Sequence, residues 1–527
     1  MSKTRLCPLL LATAALLVAC SSQHAPRTAS QGGPQWVALR TRHLVIETDL
    51  AADDARSIAE QYEAAYCELA AVVIPGAEGP PERTEVVLFQ NEDEFHATLV
   101  RWHAGGFFFD QGPLDLERHP TVVMPHPRYG DGDRITLLHE LTHRLVNHVY
   151  GAMPVWLNEG LAQYFSTLRI RDGEVWLGEP LPLRAYTADV LPTVPALLAM
   201  DRLHLEGRDL PDDYRRADQM VNNYIAAWAL VHLFRNGPDV YRARFQRFVS
   251  AMNHGTRAKD AWGASFGDIP IATLEAAYRG YLNADHWDVF KRTLSQKGPA
   301  PIESVEVIAD AGVHLLWLRA LASSGSPAAS QLAEASRDAP DSAEVAYWRG
   351  SADYFADRLA DARFEFEAML RERPEDPRPL FGLAVTLGKL MRETPSRGRA
   401  ELADSLSKTF ERLARTATSA DQLLLIGSHF ANQGDSAEAV ARIDAAAAIA
   451  PGYWRVHAAR AYVLAKAGRY DEAADAQERA VAVATESEAN PSLEAALLRY
   501  RALAASATAA APSPPQPPPL PPPPPSR

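Results

Sequence analysis

The stretch that decides the fold is His139-Glu140-Leu141-Thr142-His143, which lies inside a helical pattern covering residues 133–150. Asp133 can cap this helix, and apolar side chains recur along one face of it, at Ile135, Leu138, Leu145 and Val149. Histidines four residues apart project from the same face, as two zinc ligands must, while Glu140 can reach a water held at the metal. The pentapeptide therefore predicts a zinc-binding helix.

A second segment strengthens the zinc prediction, because such a pentapeptide also occurs by chance. It reads Met153-Pro-Val-Trp-Leu-Asn-Glu159-Gly-Leu-Ala-Gln-Tyr; Pro154 can open a second helix, and Glu159 stands sixteen residues after His143. A carboxylate there completes three protein ligands and leaves the fourth position to water, as in catalytic zinc sites. His148 is about 140° round the helix from His143 and is expected to face elsewhere.

This combination resembles the gluzincin metallopeptidases, the thermolysin-like and aminopeptidase N-like families, and in particular a Peptidase MA-like branch often joined to tetratricopeptide repeats. The similarity covers roughly residues 35–290, and Trp156-Leu-Asn-Glu-Gly-Leu-Ala is its specific part. The resemblance implies an α+β thermolysin-like metallopeptidase domain. It also implies one bound Zn²⁺ ion with His139, His143 and Glu159 as ligands, and Glu140 as the catalytic base.

Two further site residues follow from the resemblance. Aminopeptidase N-like relatives place a tyrosine beyond the ligand glutamate to stabilise the oxyanion, and Tyr224 stands 65 residues beyond Glu159. A core aromatic residue on a helix is the alternative interpretation of Tyr224. Gln163, one turn after Glu159, could accept a hydrogen bond from a ligand imidazole. The Gly-x-Met-x-Asn segment of the aminopeptidases is missing from residues 85–130, so an endopeptidase is expected.

A chain of 527 residues is too long for one hydrophobic core, so several domains are expected. Their boundaries are predicted from changes in the pattern of apolar and polar residues along the chain. The predicted metallopeptidase domain covers residues 36–295; it is mixed α and β to about residue 130 and helical afterwards, apart from loops near 172–190 and 206–215. The expected early elements are strands in 36–48 and 85–89, helices in 53–72 and 93–102, and a strand at Thr121-Val-Val-Met. That last strand is either interior or an exposed edge that pairs with an extended peptide.

Residues 300–505 are predicted to form an all-α tetratricopeptide-like helical solenoid. Pro340 and Pro374 are 34 residues apart, while Pro374 and Pro451 are 77 apart, which is two such periods with an insertion of about nine residues. Equivalent repeat positions hold Gly350, Ala362, Phe366, Gly427, Phe430, Ala439, Ala446, Ala461, Ala473 and Ala480, and the small residues among them would let paired helices approach closely. A generic alanine-rich bundle is the alternative. A solenoid would bind a protein partner on its concave side.

The ends of the chain indicate export. Residues 1–19 have the charged start and apolar run of a secretory signal, and Leu17-Val-Ala-Cys20 resembles the lipobox of bacterial lipoproteins. The resemblance implies a lipid anchor at Cys20 and, with Ser21 following, an outer membrane location facing the periplasm; an ordinary secretion signal is the alternative. Residues 20–35 are a predicted flexible tether, and residues 506–527 a proline-rich disordered tail.

Composition narrows the range of functions. The net charge of −13 argues against nucleic-acid partners.

The main expectation is a zinc-dependent hydrolase that cleaves polypeptides in the bacterial cell envelope. The first alternative is a non-catalytic envelope scaffold or assembly factor that binds partner proteins through its repeats. The second is a structural zinc site, but its fourth protein ligand is not evident in the sequence.

Overall fold

The computed structural model describes residues 27–74, 79–99, 105–126, 132–151, 153–180, 188–211, 214–284, 286–294, 301–326, 328–484 and 491–510. The predicted signal sequence, the anchor at Cys20 and the prolines after residue 510 lie outside these ranges. Among the helices within them, none combines the length and the apolar character that crossing a bilayer requires.

Strands and helices alternate in the N-terminal half, and the C-terminal half is helical. The strands in the described ranges are β1 (Trp36–Arg40), β2 (Leu44–Thr48), β3 (Thr84–Phe89), β4 (Phe107–Phe109), β5 (Thr121–Pro125), β6 (Arg169–Arg171), β7 (Glu174–Leu177), β8 (Phe290–Thr293) and β9 (Ser304–Ile308). The helices before β8 are α1 (Ala52–Val73), α2 (Glu92–Thr98), α3 (Gly132–Tyr150), α4 (Val155–Ser166), α5 (Val194–Leu198), α6 (Arg202–Leu205), α7 (Tyr214–Asn236), α8 (Asp239–Asn253), α9 (Ala258–Phe266) and α10 (Ile271–Leu282). Those after β9 are α11 (Asp310–Ser324), α12 (Ala329–Asp338), α13 (Ala343–Phe355), α14 (Leu359–Glu372), α15 (Pro377–Glu393), α16 (Arg399–Thr416), α17 (Ala420–Gln433), α18 (Ser436–Ile449), α19 (Trp454–Lys466), α20 (Tyr470–Val483) and α21 (Pro491–Ala510).

The main sheet has the strand order β4-β5-β3-β2-β1-β9. Strands β2, β3 and β5 are parallel neighbours, whereas β1, β4 and β9 run antiparallel to theirs. Helix α1 links β2 to β3, because a parallel pair needs a crossover. Strand β5 pairs on both sides, so the interpretation of Thr121-Val-Val-Met as an exposed edge is wrong, and β4 is the edge at this end.

Helices cover both faces of this sheet. Successive residues of β3 point to opposite faces: Val86 and Leu88 face the core that contains α1 and α3, and Val87 and Phe89 face a second core built with α2 and α11. The Phe89 ring packs 4.8 Å from that of Trp317 on α11. Strand β9 and helix α11 therefore belong to this layered unit, and the boundary predicted at residues 295–300 separates strands of a single sheet.

A small second sheet, in the order β6-β7-β8, lies where loop and helix were expected, so that expectation is wrong. Strands β6 and β7 form a hairpin whose turn is Asp172-Gly173, with φ of 50° and 79°. Both positive values are those of the tight turn that suits the right-handed twist of strands. The third strand, β8, comes from residues 290–293 and pairs with β7.

The C-terminal helices form a tetratricopeptide-like solenoid of antiparallel pairs. The first helices of four successive pairs begin at Ala343, Pro377, Ala420 and Trp454, so the spacing is 34, then 43, then 34 residues. This confirms the predicted period and its nine-residue insertion, which contains the 3₁₀ turn Ser396–Gly398. The predicted close approaches are also present: an added Cβ at Gly350 would lie 2.9 Å from the Phe366 ring.

Two predictions about the ends of the domains need correction. The predicted tether includes the 3₁₀ turn Ala29–Gln31, and Thr28 is fully buried. The Ser30 and Thr28 hydroxyls hydrogen bond to the Asp310 carboxylate and lower its pKa, so this segment is held at the start of α11. At the other end, helix α21 continues to Ala510, past the predicted start of the tail at residue 506.

Residues 110–119, in the loop between β4 and β5, contact the solenoid and are called here the docking segment. The Arg118 backbone N–H and Nε donate to Asp421 Oδ2 at 3.0 and 3.2 Å, and the guanidinium lies 4.1 Å from the Tyr453 ring centroid. Ser419 donates to Glu117 at 2.7 Å, and Ser351 donates to the Leu114 carbonyl. A loop of the N-terminal half thus contacts helices of several repeats.

Candidate metal centre

Two consecutive helices position the predicted ligands. Helix α3 is anchored by fully buried leucines, at Leu137, Leu138, Leu141 and Leu145, and this leaves His139, Glu140 and His143 on its partly exposed side. Helix α4 begins directly after Pro154 and packs against α3, which brings the buried Glu159 to the two histidines. The structure therefore brings together the three residues predicted to be ligands.

The three ligand atoms form a compact triangle. The Nε2 atoms of His139 and His143 are 3.1 Å apart, and Glu159 Oε2 lies 3.4 and 3.5 Å from them respectively. For tetrahedral coordination with zinc bonds of about 2.0–2.1 Å, neighbouring ligand atoms are about 3.3–3.4 Å apart. Glu159 Oε2 is also buried without a hydrogen bond of normal geometry among the described residues. The donor set and its spacing therefore fit a zinc ion.

The charges of His139, His143 and Glu159, called here the trio, are also those expected around a bound cation. Burial opposes the protonated form of His143, but the Glu159 carboxylate outweighs it and raises the pKa of that imidazole to about 9. Burial likewise opposes ionisation of Glu159, yet the two imidazoles hold the pKa of the carboxyl well below its usual range. A negative carboxylate buried in this way needs a positive partner, which is either a proton on an imidazole or a metal ion.

The Glu140 side chain is half-buried on α3, close enough for its charge to raise the pKa of His143. Tyr224 comes from α7 and is also half-buried, packed against the main core. Burial, followed by the charges of Glu159 and Glu206, raises the pKa of Tyr224, and Glu140 adds to this effect. The Tyr224 hydroxyl therefore remains a neutral donor near the trio, while its ring also serves as packing.

Gly160 allows α4 and α7 to meet beside the ligand. A Cβ at this position would lie 2.6 Å from the Ala227 carbonyl oxygen and 2.7 Å from a methyl of Val231. Real Cβ contacts are not this short, so any larger residue would push the two helices apart. The glycine that follows Glu159 thus fixes the ligand helix close to the helix that carries Tyr224.

A residue that the sequence interpretation missed orients one of the predicted ligands. His143 Nδ1 lies 3.0 Å from Asn158 Oδ1, and an Nδ1–H donated there leaves the Nε2 lone pair facing the other two ligands. Gln163 was predicted to do this, but no hydrogen bond joins its side chain to either imidazole in the described part of the chain. His148 is buried away from the trio, as expected. Asn158 precedes Glu159 in sequence, and that adjacency was the available signal.

Replacing Asn158 by Ala should weaken Zn²⁺ binding about 10–100-fold, because residues that orient a ligand imidazole typically contribute this much to metal affinity. Competition with a zinc-binding dye measures the change. Gln163→Ala is the matched control on the same helix and should leave the affinity unchanged. The reverse ranking of the two variants would show that Gln163 is the orienting residue after all.

Comparison with solved structures finds proteins with tetratricopeptide repeats. No family model matches the chain, and neither does any curated protein. Among solved structures, the thermophilic TPR protein TTC0263 of Thermus thermophilus is 19% identical over 37% of this chain and 95% of its own, with a TM-score of 0.28. MamA is 15% identical over 32% and 86%, with a TM-score of 0.26. The TPR domain of P58(IPK) is 15% identical over 60% and 84%, with a TM-score of 0.23.

Proposed function

We propose that this chain is a zinc-dependent peptidase, and specifically an endopeptidase, that hydrolyses peptide bonds of polypeptides in the bacterial cell envelope. The observation that carries the proposal is the triangle of His139, His143 and Glu159, with Glu140 beside it. Three protein ligands leave a coordination position for water or substrate, whereas a structural zinc site is closed by a fourth. The His139 and His143 side chains keep 16% and 12% of their surface exposed, which gives solvent a route to the centre.

In this proposal each side chain has a distinct task. A zinc ion, when bound, would acidify a water molecule and polarise the substrate carbonyl. Glu140 would accept the proton of the attacking water and later deliver it to the departing amine, as a general base and then a general acid. The Tyr224 hydroxyl would donate a hydrogen bond to the oxygen on which negative charge develops. Asn158 would hold the His143 ring in its binding orientation.

Metal removal tests the proposal. Dialysis against a chelator should abolish cleavage of an unfolded protein substrate, and added Zn²⁺ should restore it. His143→Ala should lower the zinc content by one ion per chain and should not recover activity. His286→Ala is the control, since that side chain is 85% exposed and lies outside the trio. Cleavage that persists in both the metal-free protein and His143→Ala would reject a zinc peptidase.

A second candidate function is a protein-binding scaffold whose metal centre does no chemistry. Its support is the helical solenoid, which already binds the docking segment through Ser351, Ser419 and Asp421. A solenoid that holds one loop of its own chain has the surface needed to hold a segment of another protein. The two candidates differ in one respect: only the peptidase depends on the Glu140 carboxylate.

A further inference from the structure

A second set of metal-binding side chains lies outside the centre described above. His43 is in the turn between β1 and β2, and Glu63 and Cys67 are one turn apart on α1. His43 Nδ1 lies 2.6 Å from Glu63 Oε1 and 3.9 Å from Cys67 Sγ, and Sγ lies 3.8 Å from Oε1. One donor atom from each residue therefore converges on the same small space.

The surroundings hold these groups in place. Glu63 is 2% exposed, and its other oxygen, Oε2, accepts hydrogen bonds from Thr41 Oγ1 at 2.7 Å and from the His43 backbone N–H at 3.2 Å. This fixes the carboxylate with Oε1 directed at the other two donors. The His43 ring stacks on Tyr66 at 4.7 Å between centroids. Such outer contacts are what orient metal ligands in proteins.

A nucleophilic role for Cys67 does not fit the geometry. In a catalytic thiol–imidazole–carboxylate series the two ring nitrogens face different partners, but here Nδ1 of His43 faces both Glu63 and Cys67. Burial, followed by the charge of Glu63, raises the pKa of the Cys67 thiol to about 12, so near pH 7 the metal-free thiol is neutral and reacts only slowly. Cys67 is also not in a disulfide.

We propose that His43, Glu63 and Cys67 bind a second divalent ion of the zinc class. A thiolate, an imidazole and a carboxylate together select borderline ions such as Zn²⁺ over Mg²⁺ or Ca²⁺, which prefer oxygen ligands alone. The two negative ligands balance the ion's charge. The His43 side chain is 25% exposed, so water can complete the coordination.

The distances indicate how the metal-free site would adjust. In a tetrahedral zinc site the sulfur is about 3.5 Å from a nitrogen or oxygen ligand, so Sγ of Cys67 would move inward by a few tenths of an ångström. The present 2.6 Å between His43 and Glu63 is that of a hydrogen bond, which the ion would replace. The bound ion would fasten α1 to the β1–β2 turn. This role is independent of the proposed peptidase activity.

Cadmium titration tests the second site, because thiolate bound to Cd²⁺ gives an ultraviolet charge-transfer absorption. The reference protein is the full chain with Cys7→Ser and Cys20→Ser, which leaves Cys67 as its thiol. Between one and two equivalents of Cd²⁺ should saturate the band in this protein, because the first centre can also take up Cd²⁺ but has no thiolate. The band should persist when His139→Ala and His143→Ala remove the first centre, and should be lost in Cys67→Ser.

Alkylation provides a second readout, on Cys67 itself. At about pH 9, where part of the thiol ionises, iodoacetamide should slowly alkylate Cys67 of the metal-free reference protein; Cd²⁺ should slow this reaction, and Glu63→Gln should weaken the protection. A reference protein without the charge-transfer band, or a Cys67 alkylated equally fast with and without Cd²⁺, would show that the three side chains form only a hydrogen-bonded network. If the same preparations show no peptidase activity, the absorption and alkylation results still test the second site, because that site does not depend on the peptidase proposal.

Discussion

Replacing Glu140 by Gln is expected to slow peptide hydrolysis by about 10²–10⁴-fold while zinc remains bound, because general base catalysis typically contributes this factor. Gln keeps the size of the side chain and its place beside His143 but cannot accept the proton of the attacking water. The measurement is the cleavage rate of an unfolded polypeptide, with the metal content determined on the same sample.

Glu60→Gln is the matched control, since Glu60 is an exposed glutamate on α1 and its charge change is the same. It should cleave at the wild-type rate. If Glu140→Gln cleaved as fast as Glu60→Gln, the peptidase proposal would fail and the scaffold would become the better interpretation. Partner binding to the solenoid is expected to be equal in the two variants under either function.

Local sequence patterns predicted those parts of the fold that depend on local spacing. The apolar stripe of α3 and the proline before α4 correctly indicated two helices, and a helix periodicity of 3.6 residues brought His139 and His143 to one face. The same holds for the repeats, whose 34-residue spacing can be counted in the sequence before any helix is placed. In these cases each element carries its own signal.

Pairing between distant segments could not be predicted in this way. Ser304-Val-Glu-Val-Ile alternates like a strand, but nothing local indicates that it pairs with Trp36–Arg40, which lies more than 260 residues earlier. Val307 is 63% exposed, so burial gives this edge strand no strong hydrophobic pattern. Strand β8 escaped prediction for the same reason. Register between such segments is decided by tertiary packing, which a single sequence does not display.

The candidate metal centre also has one part that local sequence spacing predicted and one part that depends on tertiary packing. The three predicted ligands follow from sequence spacing and resemblance, and the structure brings their side chains together. The orienting residue does not follow, because whether Asn158 or Gln163 reaches His143 depends on how α4 crosses α3. That crossing is set in part by the contact of Gly160 with α7. The sequence interval between Glu159 and Tyr224 suggested that Tyr224 stabilises the oxyanion. Whether its hydroxyl reaches the centre depends on the packing of α7, which the interval does not determine.

The largest stability effect is expected at the docking segment. Arg118→Ala should destabilise the protein by about 3 kcal/mol, because removal of one partner from a largely buried ion pair leaves the Asp421 charge with only the backbone N–H of residue 118. The side chains of Arg118 and Asp421 are 13% and 12% exposed, and the guanidinium also contacts Asp110 at 3.7 Å. Urea unfolding measures the loss. Arg415→Ala removes an exposed pair with Glu375 in the same solenoid and should cost less than about 1 kcal/mol.

The effect of Arg118→Ala should also spread toward the metal centre. Asp110 lies 3.2 Å from Arg144, the residue after His143 on α3, so the docking segment links the repeats to the ligand helix. Without Arg118, hydrogen exchange should accelerate in residues 110–119 and in the first turns of α17, where Asp421 lies. Asp421→Ala should produce the same pattern, and the double variant should add little, because both substitutions break one contact. Additive losses would mean that Arg118 and Asp421 stabilise the two halves independently.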